Sequence, residues 1–448
     1  MILSAFLYNK VTNERGDILK ITFYTLGCKV NQNETGALEQ LFCDNGFSLA
    51  QPTEDADVYI VNSCTVTAGG DKKSRQWLRR AKRQNPDAVT VLTGCYPQAF
   101  PQEASQATEA DIITGSKNRA HLLDNVLSFL QTRERIVDIA PHQQRDLFEE
   151  LPMESLAGHT RAFMKIEDGC NRRCAYCVIP RARGNVRSRQ EENILKELAV
   201  LARAGYREVV FSGINLSSYG QDTQTNLAQI VEKAAQVEGI ERIRLGSLEP
   251  DLLDDACIQQ MAAVKELCPQ FHLSLQSGCT PTLRRMRRVY TADEYRTVVR
   301  KLRASFPGAT FTTDIIVGFP GETEEEFAET VSFVREIGFL KVHVFSYSRR
   351  AGTPAYDMPD QVDESVKAQR NHLLQKEADA IRSEIIRARE GQTVEVLLEK
   401  PVAKDRYTGY TKEYIPVLIH APGHVQGEIV PARLGSFDGE RCTADPLM

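Results

Sequence analysis

No stretch of this 448-residue chain stays apolar for the roughly 18–20 residues that a membrane-spanning helix requires. The apolar opening Met1–Tyr8 has no basic start and no small-residue cleavage site. It makes a poor signal peptide, and residues 1–17 read as a frayed leader or an upstream start ahead of the first strand. Net positive charge is missing too: the formal balance is −5, which gives no global case for nucleic acid. Locally the picture differs. Between Arg161 and Gln190 stand Arg161, Lys165, Arg172, Arg173, Arg181, Arg183, Arg187 and Arg189 against only Glu167 and Asp168. A second knot comprises Arg284, Arg285, Arg287 and Arg288. Basic patches on an acidic chain suit an enzyme that acts on a phosphate-bearing polymer, the alternative being a solvated basic face. Signs of export are absent as well, so the 11 cysteines read as metal ligands or core thiols of a cytoplasmic protein rather than as disulfides.

The length implies two or three domains. In the first, expected over 18–135, β-rich Ile18–Thr25, Asp57–Val61, Val89–Thr93 and Asp111–Thr114 alternate with helical Glu34–Asn45, Asp71–Gln84 and Arg119–Gln131. That alternation predicts a parallel, flavodoxin-like sheet flanked by helices. Residues 132–160 lack periodicity, contain Pro141, Pro152 and Gly158, and read as a linker. Over 160–362 the alternation restarts, with strands expected near 162–166, 208–212, 241–246, 271–275, 311–317 and 340–346. Six βα units form a partial barrel, open on one side, with chemistry at the carboxyl ends of its strands. Residues 363–390, rich in Glu, Lys, Arg, Ala and Gln, read as one long helix. Within 391–448, Thr393–Leu398, Tyr407–Thr411, Tyr414–Ile419, Val425–Val430 and Arg441–Ala444 are short strands, which predicts a small antiparallel β-barrel.

Cys170-Asn-Arg-Arg-Cys174-Ala-Tyr-Cys177 is a CxxxCxxC loop that follows the first strand of the barrel-like region. A structural zinc site wants four closed ligands, and no second CxxC or HxxxH stands nearby to complete one. Three thiolates in a tight loop suit three irons of a 4Fe–4S cluster and leave the fourth iron open. An open iron can chelate S-adenosylmethionine (SAM), and electron transfer into the sulfonium then releases a 5′-deoxyadenosyl radical. Tyr176 is placed to stack on the adenine, with a packing aromatic as the alternative. Cys28, Cys64 and Cys95 each lie just beyond the carboxyl end of a predicted parallel strand, where open α/β sheets gather their ligands. Their shared placement predicts convergence and a second cluster with an open iron. Cys43, Cys257, Cys268, Cys279 and Cys442 have no such pattern and read as core or incidental thiols.

With these triads come TLGCKVNQNET (25–35), NSCTVT (62–67), TGCYPQ (93–98), GCNRRCAYCVIPRARG (169–184), HLSLQSGC (272–279), MRRVYT (286–291) and TDIIVGFPGET (313–323). The combination resembles the radical-SAM methylthiotransferases from about Ile18 to the C-terminus. That resemblance implies an N-terminal domain with an auxiliary cluster, a radical-SAM (β/α)6 partial barrel and a C-terminal RNA-binding TRAM barrel. TLGCKVN and HLSLQSGC are most similar to the branch that modifies N6-threonylcarbamoyladenosine beside the tRNA anticodon, rather than isopentenyladenosine or a ribosomal-protein aspartate. Departures from the family pattern at Asn33, Arg172, Arg173, Arg181 and Gly246 do not touch cluster ligands. The implied reaction uses two 4Fe–4S clusters and two SAM molecules: one methylates a sulfur on the auxiliary cluster, and the other yields the radical that removes hydrogen from carbon-2 of the adenine. Implied partners are a tRNA anticodon stem-loop and an electron donor of flavodoxin or ferredoxin type, with the enzyme acting as a monomer away from membranes.

SAM contacts are expected at strand ends, from Gly213 and Asn215 in SGINL, Arg244, Ser247 and Glu249 in RLGSLEP, Ser274 and Gln276 in HLSLQSG, and Asp314. For any one of them, ordinary strand-end hydrogen bonding is the alternative. Gly318-Phe-Pro-Gly321 lacks a GK[ST] ending and its helix context, which excludes a triphosphate loop. His272 and His343 fall in core strands and read as structural. Arg183, Arg187 and Arg189 place charge beside the cysteine loop, where an anticodon loop would enter. In the terminal barrel Tyr407, Tyr410, Lys412 and Tyr414 either grip RNA or form a cross-strand aromatic cluster. A non-catalytic iron–sulfur RNA-binding sensor, the rival of another class, would need the triads but not a SAM pocket whose candidates span four strands.

Overall fold

The computed structural model describes residues 11, 16–51, 54–151 and 160–447. Most of the expected leader, and Pro152 and Gly158 of the expected linker, lie outside the described residues. The first domain contains β1 (Lys20–Thr25), α1 (Lys29–Asp44), β2 (Ser48–Leu49), β3 (Val58–Ser63), α2 (Ala68–Gln84), β4 (Val89–Gly94), α3 (Cys95–Ala99), α4 (Pro101–Ser105), β5 (Ile112–Thr114), α5 (His121–Thr132) and β6 (Ile136–Asp138). VYIVNS and VTVLTG, in β3 and β4, are buried at every position, as central strands covered on both faces must be. The sheet is parallel in the order β2-β1-β3-β4-β5-β6. Its first five strands follow the flavodoxin-like 2-1-3-4-5 arrangement, whose ligand crevice opens between the strands we call β1 and β3. Residues 136–138, expected as linker, add a sixth strand: Ile136 pairs with Ile112, and three residues are too few to show a period.

The central domain runs through β7 (Arg161–Lys165), β8 (Glu167–Asp168), α6 (Ile179–Arg183), β9 (Arg187–Ser188), α7 (Glu191–Arg203), β10 (Glu208–Ser212), α8 (Leu227–Ala234), β11 (Arg242–Leu245), β12 (Ser247–Leu248), α9 (Asp255–Ala262), β13 (Gln270–Leu273), α10 (Thr280–Arg285), α11 (Ala292–Ser305), β14 (Thr310–Val317), α12 (Glu324–Ile337) and β15 (Lys341–Ser346). Parallel pairing joins β7-β10-β11 and β12-β13-β14-β15, the two halves meeting across Gly246. The result is the expected open wall of six βα units, with β7 and β15 at its edges. Helices pack their apolar faces on its outside: Ile194, Leu198 and Leu201 of α7 join Met164 and Phe211 in one buried cluster.

A 24-residue helix, α13 (Glu364–Arg387), leads to a closed barrel of β16 (Thr393–Ala403), β17 (Arg406–Thr411), β18 (Pro416–His420), β19 (Ile429–Phe437) and β20 (Cys442–Pro446). The fourth strand lies later than the expected Val425–Val430, since residues 424–428 form a turn in which Glu428 accepts from the Val425 amide and from His424. Pro401 sits where β16 shifts register against β17, a position that needs no ladder donor.

Candidate active site between two cysteine triads

The crevice of the first domain gathers Cys28, Cys64 and Cys95. Two glycines make the approach possible. Gly27 has φ +104°, and a Cβ there would lie 2.7 Å from the Cys64 Cβ; Gly94 has φ +99°, and its Cβ would meet the Ser63 carbonyl at 2.7 Å. Cys28 is exposed, Cys64 half-buried and Cys95 buried. Burial, reinforced by Cys95 and Cys28, pushes the Cys64 thiol up to about 12. Burial likewise raises Cys95, against the opposing pull of Arg183. The three sulfurs thus share one electrostatic environment.

The second triad is shaped the same way. Gly169 (φ +88°) lets the loop turn so tightly that a Cβ would stand 1.9 Å from the Asn185 carbonyl oxygen. Cys170 donates its amide to the Gly184 carbonyl at 3.0 Å. The Arg172 amide donates to Cys170 Sγ and the Ile179 amide to Cys177 Sγ, each at 3.4 Å. Arg288 donates to Cys174 Sγ at 3.2 Å while pairing with Glu249. Burial pushes Cys170 and Cys177 up to about 12, so a bound metal is what would deprotonate them. Among the described residues no three Cys, His, Asp or Glu side chains close around a single metal ion, as zinc would require. Three thiols per site, with N–H···S donors at both, are the donor set that a 4Fe–4S cluster uses.

A cavity of about 540 Å³ opens between the two sets, with Cys28 and Cys64 on one wall and Cys177 on the other. Tyr176, Gln276 and Asp314, three of the expected SAM contacts, line it. Asn215 is buried beside the loop: its Nδ2 lies 4.0 Å from Cys170 Sγ, and its Oδ1 has no hydrogen-bond partner among the described residues. Gly213 lies against Glu167, whose carboxylate would crowd a Cβ at 2.5 Å. Ser247 and Ser274 bond each other at 3.0 Å. Arg244 is a correction. It turns away from the triads toward the amino ends of the strands, where it pairs with Glu208 at 2.9 Å and donates to the carbonyls of Lys412 and Thr411. His272 and His343 lie on β13 and β15, as expected. They are half-buried, with rings 6.2 Å apart, and His272 stands 3.4 Å from Asp314 at the cavity wall.

The expected RNA contacts are corrected as well. Arg183 is wholly buried, and Arg187 and Arg189 nearly so. Arg183 reaches across the domain joint, donating to Cys95 Sγ at 3.2 Å, to Asn31 Oδ1 at 2.6 Å and to both oxygens of Glu34. Arg187 pairs with Asp168, and Arg189 with Glu150 and Glu197. Around this joint the ion pairs set Arg119, Lys165, Arg183 and Arg187 against Glu34 and Asp168, while burial raises the neighbouring Glu167 carboxyl toward its neutral form. That surplus of buried positive charge beside Cys95 suits an anionic thiolate-ligated cluster. In the terminal barrel Tyr410 stacks on Tyr414 with centroids 4.4 Å apart, and Arg161 covers both rings. Lys412 pairs with Glu395 at 3.4 Å, and the Tyr407 hydroxyl donates to the His424 carbonyl. These side chains seat the barrel against the central domain or brace it internally. Sequence reasoning missed Arg288 as a hydrogen-bond donor to the Cys174 sulfur, although it stands in the MRRVYT motif.

Comparison with known proteins agrees with this architecture. Residues 164–334 match the radical SAM superfamily, and residues 20–115 match the uncharacterized protein family UPF0004. The fold is shared with the radical S-adenosylmethionine methyltransferase TsrM from Kitasatospora setae, at a TM-score of 0.55 and 15% identity over 75% of each chain. A threonylcarbamoyladenosine tRNA methylthiotransferase MtaB of Bacillus subtilis is 40% identical over 420 residues, covering 92% of this chain and 93% of that protein. A tRNA-2-methylthio-N(6)-dimethylallyladenosine synthase of Pelotomaculum thermopropionicum is 35% identical over 437 residues, 94% of this chain and 97% of that protein. With both triads in place and identity at this level over nine-tenths of its length, the chain belongs to the radical-SAM methylthiotransferase family.

Proposed function

We propose that the chain attaches a methylthio group to carbon-2 of N6-threonylcarbamoyladenosine in the anticodon loop of tRNA, using SAM and two 4Fe–4S clusters. The observation that carries this reading is the single cavity walled by cysteines of both triads. Relatives named MtaB at 36–40% identity support the threonylcarbamoyl substrate. Dimethylallyladenosine synthases at 34–36% make the prenylated base the second reading. When bound, the cluster at Cys170, Cys174 and Cys177 supplies, with SAM, a radical able to take hydrogen from an unactivated C–H bond.

The protein's own residues provide placement. Asn215 offers a buried, unpartnered oxygen beside Cys170. Arg288 fixes Glu249 and Cys174 relative to one another. Gln276, held at φ +72° with its amide donating to the Asp314 carbonyl, presents its side chain to the cavity. Tyr176 and Ile316 help to keep the walls apolar and dry. The reading includes a flavodoxin- or ferredoxin-type electron donor and a monomer working in the cytoplasm. Among the described residues no helix is long and apolar enough to cross a membrane.

Mass spectrometry of tRNA nucleosides from cells lacking and regaining the gene tests the substrate. The 2-methylthio-threonylcarbamoyl nucleoside is expected to vanish and return, and an unchanged level overturns the reading. In vitro, Cys174→Ala is expected to abolish SAM cleavage, whereas Cys64→Ala spares cleavage and stops sulfur transfer. Product from Cys64→Ala would remove the first triad from the chemistry.

A further inference from the structure

With Arg183, Arg187 and Arg189 buried, the residues that receive the RNA must be others. Two side chains at the cavity have no hydrogen bond, ion pair or ring contact among the described residues. Phe345 lies on β15, an edge strand, and is 42% exposed although it lines the space between the triads. Strand alternation explains its direction: Val342 and Val344 pack into the main core, and the opposite set, His343 and Phe345, turns away from it. Lys73, on α2 across the cavity, is exposed and makes no ion pair among the described residues. Val66, 52% exposed at the same opening, adds a further bare apolar surface.

An exposed phenyl ring inside a reaction cavity wants a flat, apolar cover, and a lone ammonium opposite it wants an anion. A nucleotide extruded from a single-stranded loop carries both, a base with a π-face and a phosphate at its edge. We propose that Phe345 is the stacking platform for the target adenine and that Lys73 meets a phosphate of the same loop. Phe345 is thereby a positioning residue, setting the base between the two triads. This inference rests on the reading of the substrate as a tRNA adenosine.

The test uses the anaerobically reconstituted full chain and an anticodon stem-loop RNA bearing threonylcarbamoyladenosine. Phe345→Ala is expected to raise KM for the RNA roughly 5- to 150-fold, the equivalent of about 1–3 kcal/mol of base–aromatic stacking, while KM for SAM holds. Phe345→Leu, which keeps apolar volume without a ring face, should behave alike, and Phe345→Trp and Phe345→Tyr should keep the wild-type KM. Lys73→Ala should make the slope of log affinity on log salt shallower by about one. A wild-type KM in Phe345→Ala and Phe345→Leu overturns the inference and leaves the substrate reading standing. A KM raised equally for RNA and SAM overturns it too, as the mark of general disruption. Failure of the wild-type protein to modify this RNA removes the substrate reading, and the inference with it.

Discussion

Glu34 shows how much a single carboxylate can carry. Burial pushes its pKa up, but Arg119, Arg183 and Lys165 outweigh burial and hold it at about 2, against an ordinary 4.5. A depressed pKa means that the stabilisation is fully present above pH 4.5 and is lost as the pH falls toward 2. Urea unfolding of the cluster-free full chain between pH 5 and 3 is expected to show a steep loss of stability that is shallower in Glu34→Gln. Equal slopes would place the acid sensitivity elsewhere. Neighbouring acids are driven apart at the same joint: burial raises Glu167, while Lys165, Arg183 and Arg187 overcome burial and lower Asp168. At this scale the sequence is uneven evidence. The gathering of Cys28, Cys64 and Cys95 in one crevice was legible because each stands just past the end of a parallel strand, and the Cys170–Cys177 loop was legible from its spacing. The arginines were not, because Arg183 finds Glu34 149 positions away and no local pattern announces that pairing.

Loops and strands tell a different story, because their geometry is set over a few residues. The turn before Cys170 depends on Gly169, whose missing Cβ leaves room for the Asn185 carbonyl. Gly169→Ala is therefore expected to spoil the second triad alone, dropping iron after reconstitution from about eight per chain to about four. Retention of all the iron would show that the loop relaxes around a methyl group. Strands with apolar runs, such as VVF in β10 and VTVL in β4, declared themselves from β-branched residues. Elements that escaped did so for physical reasons. β6 has three residues, and β19 runs on through Pro431, opposite Glu395, and Gly435, residue types that strands disfavour.

For the molecule as a whole, the two joints combine small apolar clusters, Ala182 against Cys95 and Ala99 at one and Leu340 and Ile386 against the barrel core at the other, with buried charge. Arg242, wholly buried, donates to the Glu395 carbonyl at 2.8 Å and the Tyr410 carbonyl at 3.3 Å, while Arg244 lies over Tyr414. Arg242→Ala leaves Glu208 and two carbonyls short of a partner and is expected to cost about 3–5 kcal/mol in unfolding free energy. Thermal or urea denaturation measures this, and a loss below about 1 kcal/mol would mean that the terminal barrel is held by other contacts.

The opposite joint has a consequence for substrate choice. Arg183 ties Cys95 and Glu34 of the first domain to the segment that follows Cys177, and Arg350 adds a bridge to Asp71 nearby. Parting the domains would strand several buried charges at once, so the two walls behave as the jaws of a locked gauge. An aperture that cannot widen sorts its guests by shape before any bond is broken. Such an aperture would turn back a paired stem at its rim and admit a lone nucleoside swung out of its loop.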